Sequence, residues 1–124
     1  MPVNGSEKTG GDLQVLMVLD VAAAVVHELS HAVWERVEGV PLSHRRAWTR
    51  RKRQECQLLS EGFATYAERV YFLDIYPQCV RAILRQSPPE KGSIYDRGLR
   101  RVEELVQQHG PEIFLEIPKR WQSL

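Results

Sequence analysis

Cysteine is scarce in this chain, which has only two of them among 124 residues. Cys56 and Cys79 lie far apart and show neither the CxxC spacing of a zinc ribbon nor the larger, even set of a disulfide scaffold. Their low number fits a protein that stays in a reducing compartment. We therefore expect a cytoplasmic protein that is not held together by disulfide bonds.

Long uninterrupted apolar runs and an excess of one charge are also missing. The most apolar stretch, residues 13–26, contains Asp20 and is shorter than the roughly 20 residues of a membrane-spanning helix. Acidic rather than basic residues precede it, which argues against a secretory signal. The net charge of +1 gives no general attraction to nucleic acids. These absences predict a chain with no membrane span and no nucleic-acid partner.

One local exception is a basic run at residues 44–53, which holds six Lys and Arg and no acidic residue. Runs of this kind are usually solvated helix starts or loops, and we interpret this one in the same way. Contact with nucleic acid or with an acidic substrate is the alternative.

The helical signals are strong, whereas no stretch alternates with the period of two that a strand requires. Asp12 and Gly39 are suitable caps for a long first helix. Its many apolar residues predict that it lies at the centre of the domain. A short strand at residues 13–19 is the competing interpretation. The sequence thus predicts a flexible N-terminus (1–11) and a mostly α, compact single domain (12–124) with little or no β-sheet.

Further boundaries follow from proline, glycine and capping residues. A second helix should start in the basic run and continue to about Ile75, and a short third helix should occupy residues 77–86. Ser93 should cap a fourth helix that ends near Gly110 and carries an acid at the capping-box position. The C-terminal tail should begin at about residue 111.

Two histidines and a glutamate interrupt the apolar run of the first helix. His27 and His31 are four residues apart, so both imidazoles project from one helix face and can reach one metal ion. Glu28 is too constrained to join the same ligand set, but it can reach a water bound to that ion and act as a general base. The spacing is that of the zinc-binding H-E-x-x-H motif. Solvent-facing histidines are the alternative, and the surrounding Ala and Val residues favour a buried metal site.

A zinc ion with two histidine ligands needs a third protein ligand, and the second helix offers Glu61. Gly62, which follows it, lowers helix stability and suggests that another element, such as the first helix, packs closely there. Glu68 is seven residues after Glu61 and lies on about the same helix face. It could accept a hydrogen bond from the second ring nitrogen of a ligating histidine. A surface position is the alternative for either glutamate.

Together, H-E-L-S-H at residues 27–31 and E-G-F-A at residues 61–64 resemble the metal-binding sequences of the gluzincin metallopeptidases. The glutamate helix of the gluzincin aminopeptidases is especially similar, although the 29 residues between His31 and Glu61 exceed the interval in that family. The small size resembles the minigluzincins. The resemblance implies a zincin-like helical core and zinc-dependent hydrolysis of a peptide or protein substrate. The two histidines and Glu61 would be the zinc ligands, and Glu28 the base.

One further site residue is expected at the rim of the cleft. A zinc peptidase needs a donor for the negative charge that develops on the substrate carbonyl oxygen. Among the tyrosines and His109, Tyr95 is the preferred candidate because it opens the helix expected beside the site. The alternative role of Tyr95 is that of a core aromatic residue.

The apolar tail, residues 111–124, has two expected roles. Pro111 and Pro118 should limit it to a short helix followed by an extended stretch. Its apolar side chains should either complete the core or, as the resemblance to the latent minigluzincins implies, lie over the cleft as an inhibitor. Two other functions stay open. One is a metallopeptidase-like regulator that cleaves a specific partner, and the other is a non-catalytic, zinc-stabilised binding module.

Overall fold

The computed structural model describes the backbone of residues 5–72 and 89–124, and the side chains of residues 21–70 and 89–124. Regular structure in this part of the chain is helical throughout, which confirms the mostly α prediction. The α-helices are α1 (Gly5–Glu38), α2 (Leu42–Arg46), α3 (Arg50–Tyr66), α4 (Ile94–His109) and α5 (Ile113–Arg120). A π-helical segment, Ala67–Phe72, continues α3, and a 3-10 turn, Trp121–Ser123, follows α5.

The first helix is longer than predicted. The cap at Asp12 is wrong, because α1 already includes residues 5–11, which we expected to be a loose terminus. The alternative of a strand at residues 13–19 is also wrong, since these residues are helical. The predicted end is confirmed: Gly39 follows the last helical residue with a positive φ of 65°. Its N–H donates to the carbonyl four residues earlier (3.0 Å), which ends the helix at a conformation suited to glycine.

The basic run divides between two helices. Its first part lies in α2, and Thr49 then caps α3 by accepting a hydrogen bond from the Lys52 N–H at 3.2 Å. The predicted start of a helix within this run is therefore confirmed. The regular α-helical pairing ends before Ala67, where π-helical pairing begins. The predicted end near Ile75 and the predicted third helix at residues 77–86 lie outside the described residues.

The start of α4 has the predicted capping arrangement. The Ser93 hydroxyl accepts a hydrogen bond from the Asp96 N–H at 3.2 Å, and the Asp96 carboxylate accepts one from the Gly92 N–H at 2.8 Å. The hydrogen bond from Gly92 holds the pKa of Asp96 below its ordinary value. Gly110 follows the last residue of the helix with a φ of 91°, so both predicted ends of α4 are confirmed.

Two glycines allow α3 and α4 to approach closely. A Cβ atom at Gly62 would overlap the carbonyl of Gly98, and a Cβ atom at Gly98 would overlap the carbonyl of Leu58. The prediction that a close neighbour explains Gly62 is confirmed, but the neighbour is α4 and not the first helix. Because Gly62 directly follows Glu61, this contact also fixes the position of that glutamate on α3.

The core lies between the middle of α3, α4 and the C-terminal helix, and α1 borders it on one side. Between Val21 and Glu38 only Ser30 and Trp34 of α1 are buried, while a row of five apolar residues faces solvent. Over residues 21–38, where the side chains are described, the prediction that α1 is central to the domain is therefore wrong. None of the described helices combines the length and apolarity that a membrane span requires, as predicted.

The tail belongs to this core. Phe114 stacks on Phe63 with ring centroids 4.3 Å apart, and Ile117 and Trp121 are almost fully buried. The predicted short helix is confirmed as α5, which includes Pro118. The predicted extended stretch beyond it is wrong, because a 3-10 turn follows. Of the two roles expected for the tail, its position agrees with completion of the core.

A buried carboxylate joins the end of α1 to the tail. The Glu38 side chain is only 2% exposed, forms an ion pair with Arg45, and accepts a hydrogen bond from the Trp121 indole N–H at 2.6 Å. The Cys56 thiol donates to the same carboxylate at 3.6 Å. Burial, together with this neighbouring carboxylate, raises the pKa of Cys56 to about 12, so the thiol stays protonated.

Candidate metal centre

One carboxylate from α3 meets both histidines of α1. The Nε2 atom of His27 lies 3.1 Å from Glu61 Oε2, and the Nε2 atom of His31 lies 3.0 Å from Glu61 Oε1. The two imidazoles project from the same face of the helix and meet edge-to-face, with ring centroids 5.0 Å apart and an angle of 67° between the ring planes. The structure thus brings together the three residues that the sequence predicts as metal ligands.

The second nitrogen of each imidazole also has a partner on the π-helical segment or on α3. His27 Nδ1 lies 3.1 Å from Glu68 Oε2, and His31 Nδ1 lies 2.8 Å from Ser60 Oγ. With a proton on each Nδ1, both rings would direct the lone pair of Nε2 toward Glu61. Such hydrogen bonds orient imidazoles that bind metals. The predicted contact between Glu68 and a histidine is present, whereas the contact of Ser60 was not predicted.

A signal for Ser60 is visible in hindsight. The N-terminal histidine, His27, pairs with Glu68, and the C-terminal one, His31, pairs with Ser60, so α1 and α3 run antiparallel here. Ser60 and Glu68 are eight residues apart, about two helical turns, so they contact α1 at two different levels along its length. The available signal was only that Ser60 is a polar residue directly before Glu61, because adjacent helical residues point about 100° apart and do not share a face.

The donor atoms have the spacing that a small metal ion needs. One donor atom each from His27, His31 and Glu61 lie within 4.8 Å of one another. A tetrahedral zinc site with ligands at about 2.0–2.1 Å separates its ligand atoms by roughly 3.3 Å. The N–O distances of 3.0 and 3.1 Å are close to that value, but they run to two different oxygens of Glu61, so the side chains would have to rearrange to place one atom from each residue around an ion. The group could hold a metal ion, although two imidazoles and a carboxylate also suit metals other than zinc.

The carboxylates also act on the protonation of His27. The hydrogen bond to Glu68 raises the pKa of His27 above its ordinary value, and Glu61 raises it further, while burial acts in the opposite direction. In the metal-free protein an imidazolium would therefore be stabilised between two carboxylates. Metal binding requires the neutral ring, so it must displace this proton.

A cleft of about 450 Å³ opens beside His27. Its lining comes from α1, the end of α3, the π-helical segment and the start of α4: Ala23, Ala24, His27, Glu28, Thr65, Glu68, Arg69, Pro89 and Tyr95. The Glu28 side chain is exposed in it, next to the histidine. The Tyr95 ring is 46% exposed, with its centroid 5.9 Å from that of His27. Tyr95 therefore borders the site and is not a core residue, and no tail residue contributes to the described lining.

Thr65 is a polar residue of this cleft that the sequence reasoning missed. It is 4% exposed, and its hydroxyl has no hydrogen-bond partner within the described part of the chain. A buried hydroxyl without a partner costs free energy unless a ligand or water satisfies it. Its position four residues after Glu61 on the same helix was the available signal.

Searches of protein-family models, curated proteins and solved structures gave no match for this chain. The residues of the site and their geometry are therefore the basis for its function.

Proposed function

We propose that this chain is a zinc-dependent metallopeptidase whose metal ion is held by His27, His31 and Glu61. The strongest support is the convergence of both Nε2 atoms on the two carboxylate oxygens of a glutamate from another helix. The choice of peptides as substrates rests on the resemblance of residues 27–31 and 61–64 to gluzincins. When bound, zinc would supply a Lewis acid that lowers the pKa of a water ligand toward neutrality.

The location of Glu28 in the cleft supports a role as the general base. It directly follows His27 on α1, and its exposed carboxylate lines the cleft. It can accept a proton from a water molecule in the cleft and pass it to the amine that leaves when the peptide bond breaks. Because the Glu28 side chain is exposed, it has room to reach first the water molecule and then the leaving amine.

Two hydroxyl-bearing residues of the cleft, Tyr95 and Thr65, are candidates for contact with a substrate. The Tyr95 phenol ring flanks His27 and could donate to the oxygen of the substrate carbonyl as negative charge develops there. The Thr65 hydroxyl is buried in the wall of the cleft and has no partner among the described residues, so it could reach a peptide group only after a change of its rotamer. The small Ala23 and Ala24 leave space for a peptide beside Tyr95.

The two alternatives differ in what they require of the cleft. A non-catalytic zinc module closed by its own tail is less well supported, because α5 packs into the core and the described lining of the cleft has no tail residue. A regulator that cleaves one specific partner would use the same chemistry. It would differ from a general peptidase only in its range of substrates, so activity on a library of unstructured peptides separates the two.

The test is Glu28→Gln in protein loaded with zinc. Glutamine keeps the shape of the side chain but cannot accept the proton, so peptide hydrolysis should fall by about 10²–10⁴-fold while zinc binding is retained. Glu35→Gln is the matched control, since Glu35 is another exposed glutamate of α1 and does not line the cleft.

Three measurements complete the test: cleavage of a peptide library by mass spectrometry, zinc content, and helicity of each variant. Hydrolysis by Glu28→Gln at the wild-type rate would remove Glu28 as the base. Zinc-loaded wild-type protein that cleaves neither the library nor any folded candidate protein would contradict the proposed activity.

A further inference from the structure

A groove of about 600 Å³ between α3 and α4 is separate from the cleft beside His27. Arg51 of α3 and Arg97 of α4 both line it, and we call it the arginine groove. The half-buried Leu58 and Ile94 contribute an apolar part of its surface. No residue of this lining belongs to the lining of the cleft, so the proposed chemistry leaves the groove without a role.

The close contact between α3 and α4 fixes the geometry of the arginine groove. Arg97 directly precedes Gly98, and a Cβ atom at Gly98 would overlap the carbonyl of Leu58, which also lines the groove. The backbones that carry Arg51 and Arg97 therefore belong to two helices that cannot separate without losing this contact. A ligand that needs both guanidinium groups would find their attachment points already in place.

The surface beside the groove carries positive charge that the protein does not neutralise. Two basic residues of the run at 44–53 are already engaged, because Arg45 pairs with Glu38 and the Lys52 ammonium lies 4.9 Å from the centroid of the Trp48 ring. The other four and one arginine of α4 are exposed and form no ion pair with a side chain in the described part of the chain: Arg46, Arg50, Arg51, Arg53 and Arg97. This excess of charge favours an anionic ligand.

We propose that the arginine groove binds an acidic segment of a peptide. Guanidinium groups pair with carboxylates through two parallel hydrogen bonds. The amides of Gln54 and Gln57, which also line the groove, can both donate to and accept from peptide groups, and the Glu55 carboxylate can accept from a peptide N–H. A phosphate backbone would leave these acceptors unused and would bring its charge against Glu55. The mixed lining therefore suits an acidic peptide better than a nucleic acid.

The groove lies on the helix that carries the metal ligand Glu61. Leu58 precedes Glu61 by three residues and Arg51 precedes it by ten, which corresponds to roughly 4.5–15 Å along the helix. An extended peptide advances by about 3.3 Å per residue. If the segment is part of a substrate, which rests on the proposed peptidase function, its acidic residues would lie roughly two to five residues from the cleaved bond.

The test is binding of two labelled peptides of equal length, measured by fluorescence anisotropy. One carries four Asp and Glu residues, and the other carries Asn and Gln at the same positions. The protein is the full chain with Glu28→Gln, which keeps the peptides intact. We expect the acidic peptide to bind at least tenfold more tightly at low salt, with a preference that decreases as salt screens the charges. Arg51→Gln and Arg97→Gln should each weaken its binding by about fivefold.

Arg36→Gln is the matched control, because it removes the same charge from an exposed arginine of α1 outside the groove. It should leave the affinity almost unchanged, and circular dichroism of the three arginine variants shows that each is folded. Equal binding of the two peptides would overturn the proposal. An equal loss in all three variants would also overturn it, because the attraction would then come from net charge and not from the groove.

A single-stranded oligonucleotide of the same charge distinguishes the other class of ligand. Tighter binding of the oligonucleotide than of the acidic peptide, with losses in Arg51→Gln and Arg97→Gln, would show that the groove binds phosphates and would overturn the proposal.

Cleavage by the zinc-loaded wild-type chain separates this proposal from the proposed function. Binding of the acidic peptide without cleavage of any peptide would support the groove and contradict the peptidase. Cleavage of peptides without a binding preference for acidic ones would contradict the groove and leave the peptidase standing.

Discussion

Each imidazole of the candidate metal centre is held at both ring nitrogens. His27 lies between Glu61 and Glu68, and His31 lies between Glu61 and Ser60. Without a metal ion these contacts form a network of hydrogen bonds in which a proton on His27 is favoured. With a metal ion bound, the same side chains would act as ligands and as the hydrogen-bond partners that orient them. The stability of the metal-free and metal-bound protein should therefore respond to pH in opposite directions.

The metal-free protein should lose stability as pH rises. Because the folded protein raises the pKa of His27 above the 6.5 of the unfolded chain, the protonated ring stabilises the folded state fully below pH 6.5. This contribution disappears as pH rises through the raised pKa. In chelator, the difference in unfolding free energy between wild type and His27→Gln should shrink over that range, measured by urea unfolding. With zinc present it should instead grow with pH, since ligation needs the neutral ring.

His44→Gln is the control for the pH series, because His44 is exposed on α2 and far from both carboxylates in sequence. The difference in unfolding free energy between wild type and His44→Gln should not change with pH in the way expected for His27→Gln. If His27→Gln and wild type respond to pH in parallel in chelator, the contacts of His27 with Glu61 and Glu68 do not hold a proton.

At the scale of elements, the contact between α3 and α4 decides where Glu61 lies. Gly98→Ala would push a methyl group into the carbonyl of Leu58 and the backbone of Gly62, so the helices must separate. Overpacking of this kind costs about 1–3 kcal/mol, and we expect the free energy of unfolding to fall by at least that much. Zinc affinity should fall with it, because Glu61 precedes Gly62.

Gln107→Ala, on the exposed side of α4, provides the comparison for Gly98→Ala. It adds helix propensity without touching another element and should change stability little. Helix propensity alone would make Gly98→Ala stabilising by about 1 kcal/mol. A stabilised Gly98→Ala variant would therefore show that α3 and α4 do not pack as closely as described.

The elements also show what the sequence can and cannot predict. Helix ends marked by Gly39, Ser93 and Gly110 were predicted correctly, because each depends on local backbone chemistry. The meeting of His27, His31 and Glu61 was predictable as well, since a metal requires a third ligand and helical periodicity places the histidines together. Local signals did not reveal Gly98 as the partner of Gly62, because that contact depends on which helices pack.

The burial of α1 was predicted wrongly for a related reason. Apolar residues on several sides of a helix favour its burial, but the sequence does not show which elements pack against each side. The Trp34 side chain is buried in the core of this chain, whereas Val25, Leu29 and Val33 are exposed. The sequence pattern is the same for both faces, and only the packing distinguishes them.

At the scale of the whole molecule, the tail is expected to be necessary for folding. A chain that ends at Glu116 would lose Ile117 and Trp121 from the core, and the Glu38 carboxylate would lose the hydrogen bond that the Trp121 indole N–H donates to it. The loss of two large core side chains costs on the order of 5 kcal/mol or more, comparable to the stability of a small domain. We expect urea unfolding of this variant to lose its cooperative transition.

A chain that ends at Trp121 is the control for this truncation. It removes two exposed residues and the half-buried Leu124 but keeps the core residues of the tail, so it should unfold cooperatively. If the chain that ends at Glu116 stays folded and cleaves peptides faster than the full chain, the tail covers the cleft and the core role assigned to it is wrong.

The central claim for the molecule is that His27, His31 and Glu61 bind one zinc ion. The most direct measurement is the metal content of protein purified without added metal, followed by calorimetric titration of the chelated protein with zinc. We predict about one zinc per chain and its loss in His27→Ala, because two remaining protein ligands hold zinc poorly. His109→Ala, at the end of α4, should bind like wild type. Protein that stays metal-free after incubation with zinc, and whose stability a chelator does not change, would contradict the account.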